Sequence, residues 1–82
     1  MKSAARLAAD FAAVLRRHRR KQGLSQEALA ERAGLHAVYI SMIERGTRKP
    51  TVYVAALLAK ALGEPLSRLI REAERAPIRG RS

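Results

Sequence analysis

Cysteine and tryptophan are absent from this chain, and acids are scarce. Without cysteine there is no disulfide, no thiolate metal ligand and no thiol nucleophile, which fits a reducing cytoplasm. The aromatic residues are Phe11, Tyr39 and Tyr53, too few for a platform on which single-stranded bases stack. No apolar run approaches the roughly 20 residues that span a bilayer. The opening MKSAARLAADFAAVL is broken by Arg6 and Asp10 and makes a poor signal-peptide core. Two histidines and scattered Ser and Glu give no nucleophile–base pair and no metal cluster, so an enzyme, a cofactor, a metal and a membrane partner are not expected. What is abundant is positive charge. Lys and Arg number 17 against 7 acids, a formal net charge of +10 over 82 residues. That is room for one small domain, and its charge points to a polyanion such as duplex DNA.

Periodicity and punctuation predict five helices with short links. Leu7, Phe11, Val14 and Leu15 recur at three- and four-residue steps over 5–21, with His18 extending the series and Gly23 as left-handed cap. Ser25 is an N-cap for a second helix that Gly34 ends. A third helix runs over 37–45 to Gly46. Thr51 caps a fourth over 52–62, and Pro65 stands at the first turn of a fifth that reaches 74. Residues 1–4 read as a flexible N-terminus, 5–75 as the domain, and 76–82 as a basic disordered tail.

The segment SQEALAERAGLHAVYISMIER, Ser25 to Arg45, carries the functional signal. Two helices cross tightly only where a contact residue is small, and Ala30 is small. The turn between them needs a positive φ, which Gly34 adopts without steric cost. Leu29, Ala33, Leu35, Ile40 and Ile43 then form an apolar joint. With Ile40 and Ile43 inward, residues 37, 38, 41, 42 and 45 point outward at helical spacing. This is the layout of a helix-turn-helix, whose second helix reads the major groove.

The residues Phe11, Leu15, Arg16 and Arg19, then GLSQEALAERAGL at 23–35, YISMIERG at 39–46, Pro50 and AKALG at 59–63, resemble the Xre/Cro helix-turn-helix family of phage-repressor-like regulators. The likeness covers about 11–70. It implies an all-α, compact five-helix, lambda-repressor-like DNA-binding domain, with the motif in helices 2 and 3, that binds operators as a dimer. It implies that Gln26 contacts a phosphate, aided by the free N–H groups of a helix start. It implies an ion pair between Arg19 and Glu44 that also turns Arg19 toward phosphate, and backbone contacts from Arg48 and Lys49 after helix 3.

The outward strip departs from better-known members. Ala37, Val38 and Met42 stand where several relatives carry Gln or Arg. They cannot form the bidentate hydrogen bonds that identify G or A, but they can pack on thymine methyls. His36, Ser41 and Arg45 are the remaining polar base readers. Tyr39 is expected to pack its ring on the joint and offer its hydroxyl to phosphate. Arg16, Arg17 and Arg20 are further cations within reach of the backbone, or simply a solvated face. Base discrimination is expected to be loose, with DNA shape carrying more of it.

In the fourth helix Val52, Ala55, Leu58, Ala59 and Leu62 make one inward stripe, which leaves Tyr53, Val54 and Leu57 on the other side. With Leu66, Leu69 and Ile70 these form the expected homodimer interface. The reading is a sequence-specific regulator of transcription on a roughly palindromic operator, with no small-molecule effector. Its compact size resembles the controller proteins of restriction–modification systems. The alternative is an antitoxin or interaction module that binds DNA and also autoregulates its operon.

Overall fold

The computed structural model describes residues 2–77, and the described part is all-helical: α1 (Ala4–Lys21), α2 (Gln26–Ala33), α3 (Ala37–Glu44), α4 (Val52–Ala61) and α5 (Leu66–Arg75). Each boundary has a local cause. The hydroxyls of Ser3, Ser25 and Thr51 accept from the amides of Arg6, Ala28 and Val54, satisfying donors that a helix start leaves free. His36 occupies the same position before α3 and makes no side-chain cap bond. At the turn between α2 and α3, Gly34 has φ +71°, and Leu35 N–H closes back on the Ala30 carbonyl at 2.9 Å. A Cβ on Gly34 would meet nothing within 4 Å, so the requirement for glycine is one of backbone conformation and not of space.

Leu15, Leu29, Ile40, Ile43, Leu58 and Leu69 are the largest fully buried apolar side chains and bring all five helices into one core. α1 packs on α5 and α3, and α2 packs on both α3 and α4. The joint of the predicted motif is therefore part of the core itself. Among the described residues, no helix is long and apolar enough to cross a membrane.

Three expectations change. Residues 2–4 are tied to the domain through Lys2 and the helix start, while Ser3 and Ala4 are exposed. The Lys2 ammonium donates to the buried Asp10 carboxylate and to the Ala73 carbonyl near the end of α5, and Ala4 is already helical. Val52 is not inward but 79% exposed: it opens α4 before any other helix covers it, and it lines a shallow apolar groove with Leu7, Leu66 and Ile70. Leu69 is 0% exposed, because α5 turns it into the core beneath α1 and α4, so it cannot meet a second copy. Of the expected tail, 78–82 lie outside the described residues.

Candidate nucleic-acid interface

Glu44, at the last turn of α3, organises the site. It is buried, and both its oxygens accept from Arg19 of α1: Oε2 from Nε at 2.6 Å, and Oε1 from Nη2 at 2.9 Å. The third guanidinium nitrogen of Arg19, Nη1, donates to the Leu24 carbonyl at 2.8 Å. Oε1 also accepts from the side-chain amide of Gln26, the first residue of α2, at 3.1 Å, and Arg16 Nε stands 3.7 Å away. One carboxylate thus ties together α1, the start of α2 and the end of α3. Burial pushes the Glu44 carboxyl up, but hydrogen bonds from Arg19 and Gln26 and the charges of Arg19 and Arg16 outweigh it and hold the group below its usual range. The same hydrogen bond and charge raise Arg19. A fixed negative charge therefore survives under a basic surface, because cations surround it.

Around this hub the cations turn outward. Arg16, Arg17, Arg20 and Lys21 line a shallow groove along α1 beside Glu44. Arg48 and Lys49 are exposed after α3, and the Arg48 guanidinium lies over the Tyr39 ring, 5.7 Å from its centre. The outer edge of α3 carries Val38 and Arg45, both exposed, with Ser41 and Met42 half-buried beside them. Arg45 Nε donates to the Ser41 carbonyl at 3.4 Å, which leans its guanidinium along the helix. Ala37 is partly packed on the core, and the outer strip carries Val38 and Met42 together with Ser41 and Arg45 to one side. His36 is exposed at the helix start.

A family model described as helix-turn-helix matches residues 15–69. The chain belongs to that family, the DNA-binding regulators of transcription. Over 62 residues this helix-turn-helix protein is 40% identical to the HTH-type transcriptional regulator y4dJ of Sinorhizobium fredii, a match covering 76% of this chain and 80% of the relative. It is 43% identical over 56 residues to the control protein C.SmaI of Serratia marcescens, covering 68% of this chain and 67% of the relative. Among solved structures it is similar to the restriction–modification controller protein C.Esp1396I, crystallised as a tetramer with its natural 35 base-pair operator. That likeness has a TM-score of 0.75 and 31% identity, and covers 90% of this chain and all of that one. The relatives are regulators and not enzymes.

Within this helix-turn-helix domain the expected site residues divide. Val38, Ser41, Met42 and Arg45 share the outer side of α3, Ala37 flanks them nearer the core, and His36 is exposed at the cap before the helix. Arg19 has the pairing role: it is buried, and Nε, Nη1 and Nη2 each donate one hydrogen bond inside the protein, which leaves one N–H on each terminal nitrogen. Gln26 sits at the start of α2 with its amide held by Glu44, a contact that spacing along the chain does not announce. His18, placed at the end of an apolar stripe, instead meets Glu72 of α5 through Nε2 at 2.9 Å, where Arg17 Nη2 also binds at 2.6 Å. The cluster sets Arg17 and His18 of α1 on Glu72, one of the two glutamates of α5, with Arg68 Nε 3.5 Å from its other oxygen.

Proposed function

We propose that this chain is a sequence-specific regulator that binds a roughly palindromic operator as a homodimer, with α3 in the major groove and the two copies of α3 about 34 Å apart. His36, Ala37, Val38, Ser41, Met42 and Arg45 face base edges. Gln26, Tyr39, Arg48 and Lys49 hold the backbone, and Arg19 positions Gln26 through Glu44. Tyr53, Val54, Leu57, Leu66 and Ile70 form the contact between copies. The protein acts in the cytoplasm, and its control lies in concentration and dimerisation.

The single observation that carries this reading is the Glu44 hub. It fixes the start of α2, where backbone amides and Gln26 suit a phosphate, relative to α3, whose outer edge is left free for bases. The relatives support it, since C.Esp1396I was crystallised on an operator and C.SmaI is a control protein.

Selection from a random duplex library, followed by footprinting, tests binding, symmetry and spacing together. A two-fold consensus with half-sites one turn apart is expected. Ser41→Ala with Arg45→Ala should lose selective recognition while binding at low ionic strength persists. A purified chain that ignores duplexes at low salt, or a double variant that still discriminates its operator, overturns the reading.

A further inference from the structure

The centre of the reading edge is its least polar part. Val38 is 69% exposed, and neither it nor Met42 has a side-chain group that forms strong hydrogen bonds. Both lie opposite the buried Ile40, Ile43 and Glu44, so neither is needed for the joint between α2 and α3. A β-branched residue on an exposed helix face also gains nothing from helix propensity. The hydrogen-bonding groups lie to one side, at Ser41 and Arg45, and Arg45 leans on the Ser41 carbonyl. In the major groove, the apolar group that base pairs display is the C5-methyl of thymine. The same methyl, at the same ring position, is what 5-methylcytosine adds to cytosine.

We infer that Val38 reads a pyrimidine C5-methyl group, so that this protein distinguishes methylated from unmethylated pyrimidines in its half-site as well as one base pair from another. The inference rests on the placement of α3 in the major groove.

The test uses the duplex that random-library selection yields with the wild-type chain, with binding followed by fluorescence anisotropy at fixed salt. Thymines are replaced one position at a time by deoxyuridine, symmetrically in both half-sites. At one or two positions the lost methyl weakens binding about fourfold per half-site, or about fifteenfold for the pair. Val38→Ala, an exposed position whose melting temperature should not move, reduces that sensitivity to under about twofold, because the apolar partner of the methyl is gone. At the sensitive position, cytosine in place of thymine weakens wild-type binding. 5-Methylcytosine there recovers about fourfold per half-site in the wild type and nothing in Val38→Ala. Deoxyuridine bound as tightly as thymine everywhere overturns the inference. So does a thymine preference undiminished in Val38→Ala, which would assign the methyl's effect to DNA shape. Thymine sensitivity without recovery by 5-methylcytosine overturns the claim that methylation of cytosine is sensed. Failure to select any sequence sinks the groove placement instead.

Discussion

Glu44 and Arg19 lie 25 residues apart in sequence and meet as a bidentate pair, 2.6 and 2.9 Å, in the interior between α3 and α1. Among the described residues no buried side-chain nitrogen or oxygen lacks a partner, so the pair completes a satisfied interior. Removing one member leaves a charge with nowhere to go. Glu44→Ala should lower unfolding free energy by about 1–3 kcal/mol, read by urea denaturation. Arg19→Met with Glu44→Leu should recover most of that, because an apolar pair replaces a buried ion pair at little cost. The double variant should still bind operator poorly, since Gln26 loses its anchor. An unchanged melting temperature in Glu44→Ala would remove the pair from the stability argument.

The acid limb of stability follows from Glu44 and Glu72. Glu72 is held below its ordinary value of 4.5, chiefly by its hydrogen bond to His18 and further by Arg17, against a smaller opposing effect of burial. Glu44 is lowered too, its burial penalty outweighed by Arg19 and Gln26. Both carboxyls bind protons more weakly when folded, so the unfolded chain takes up more protons as pH falls. Their stabilisation is complete well above 4.5 and is lost as pH drops through that value toward the lower folded ones. Denaturation midpoints should be level near neutrality and decline below about pH 4.5. Glu44→Gln and Glu72→Gln should each flatten the decline.

Gly34 separates conformation from packing. Its φ of +71° is costly for an L side chain, while a Cβ there would touch nothing within 4 Å. Gly34→Ala should therefore destabilise by about 1–2 kcal/mol through backbone strain alone. Gly34→Asn should cost less than Gly34→Ala in the same thermal melt, since Asn tolerates the left-handed region better. Equal losses for both would argue against this account.

Local chemistry was legible in the chain; pairing across it was not. Ser25, Gly34 and Thr51 announce helix ends because capping involves neighbours within three residues. Ile40 and Ile43 announce the inner face of α3 by spacing alone. Periodicity defines a stripe and not what covers it, so it misplaces Val52, which lies at an open helix start, and Leu69, which lies beneath two helices. The Arg19–Glu44 pair came from family likeness. The further convergence of Gln26 and Arg16 on the same carboxylate, and of Lys2 on Asp10 and Ala73, depends on how distant helices cross. Ser3 is likewise an N-cap, its hydroxyl accepting from the Arg6 amide.

Salt dependence measures the cationic grip. With Arg48, Lys49 and the α1 cations Arg16 and Arg20 supplying about 3–4 phosphate contacts per copy, a dimer should show a slope of log K against log salt of about −5 to −7. Lys49→Ala, at an exposed link residue, should reduce the slope by about 2 for the dimer and weaken all sequences alike. Arg45→Ala should instead alter discrimination more than slope. A wild-type slope near −1 would contradict the proposed backbone contacts.

The proposed contact between copies rests on the exposed Tyr53 and on the outward parts of Val54, Leu57, Leu66 and Ile70, of which Val54, Leu66 and Ile70 also pack on the core. Tyr53 is 72% exposed in the first turn of α4, with Val54 and Leu57 half-buried beyond it and Leu66 and Ile70 half-buried on α5. Because Tyr53 contributes little to its own domain, Tyr53→Lys should leave the unfolding free energy of the dilute protein within about 0.5 kcal/mol of wild type. On a two-fold surface the substitution appears twice, and it sets the new lysines near one another where aromatic rings had packed. Sedimentation should therefore shift from dimer toward monomer. Binding to a full operator should fall toward that of a single half-site, while binding to an isolated half-site stays the same. A wild-type chain that sediments as a monomer at high micromolar concentration would rule out this surface as the source of operator symmetry.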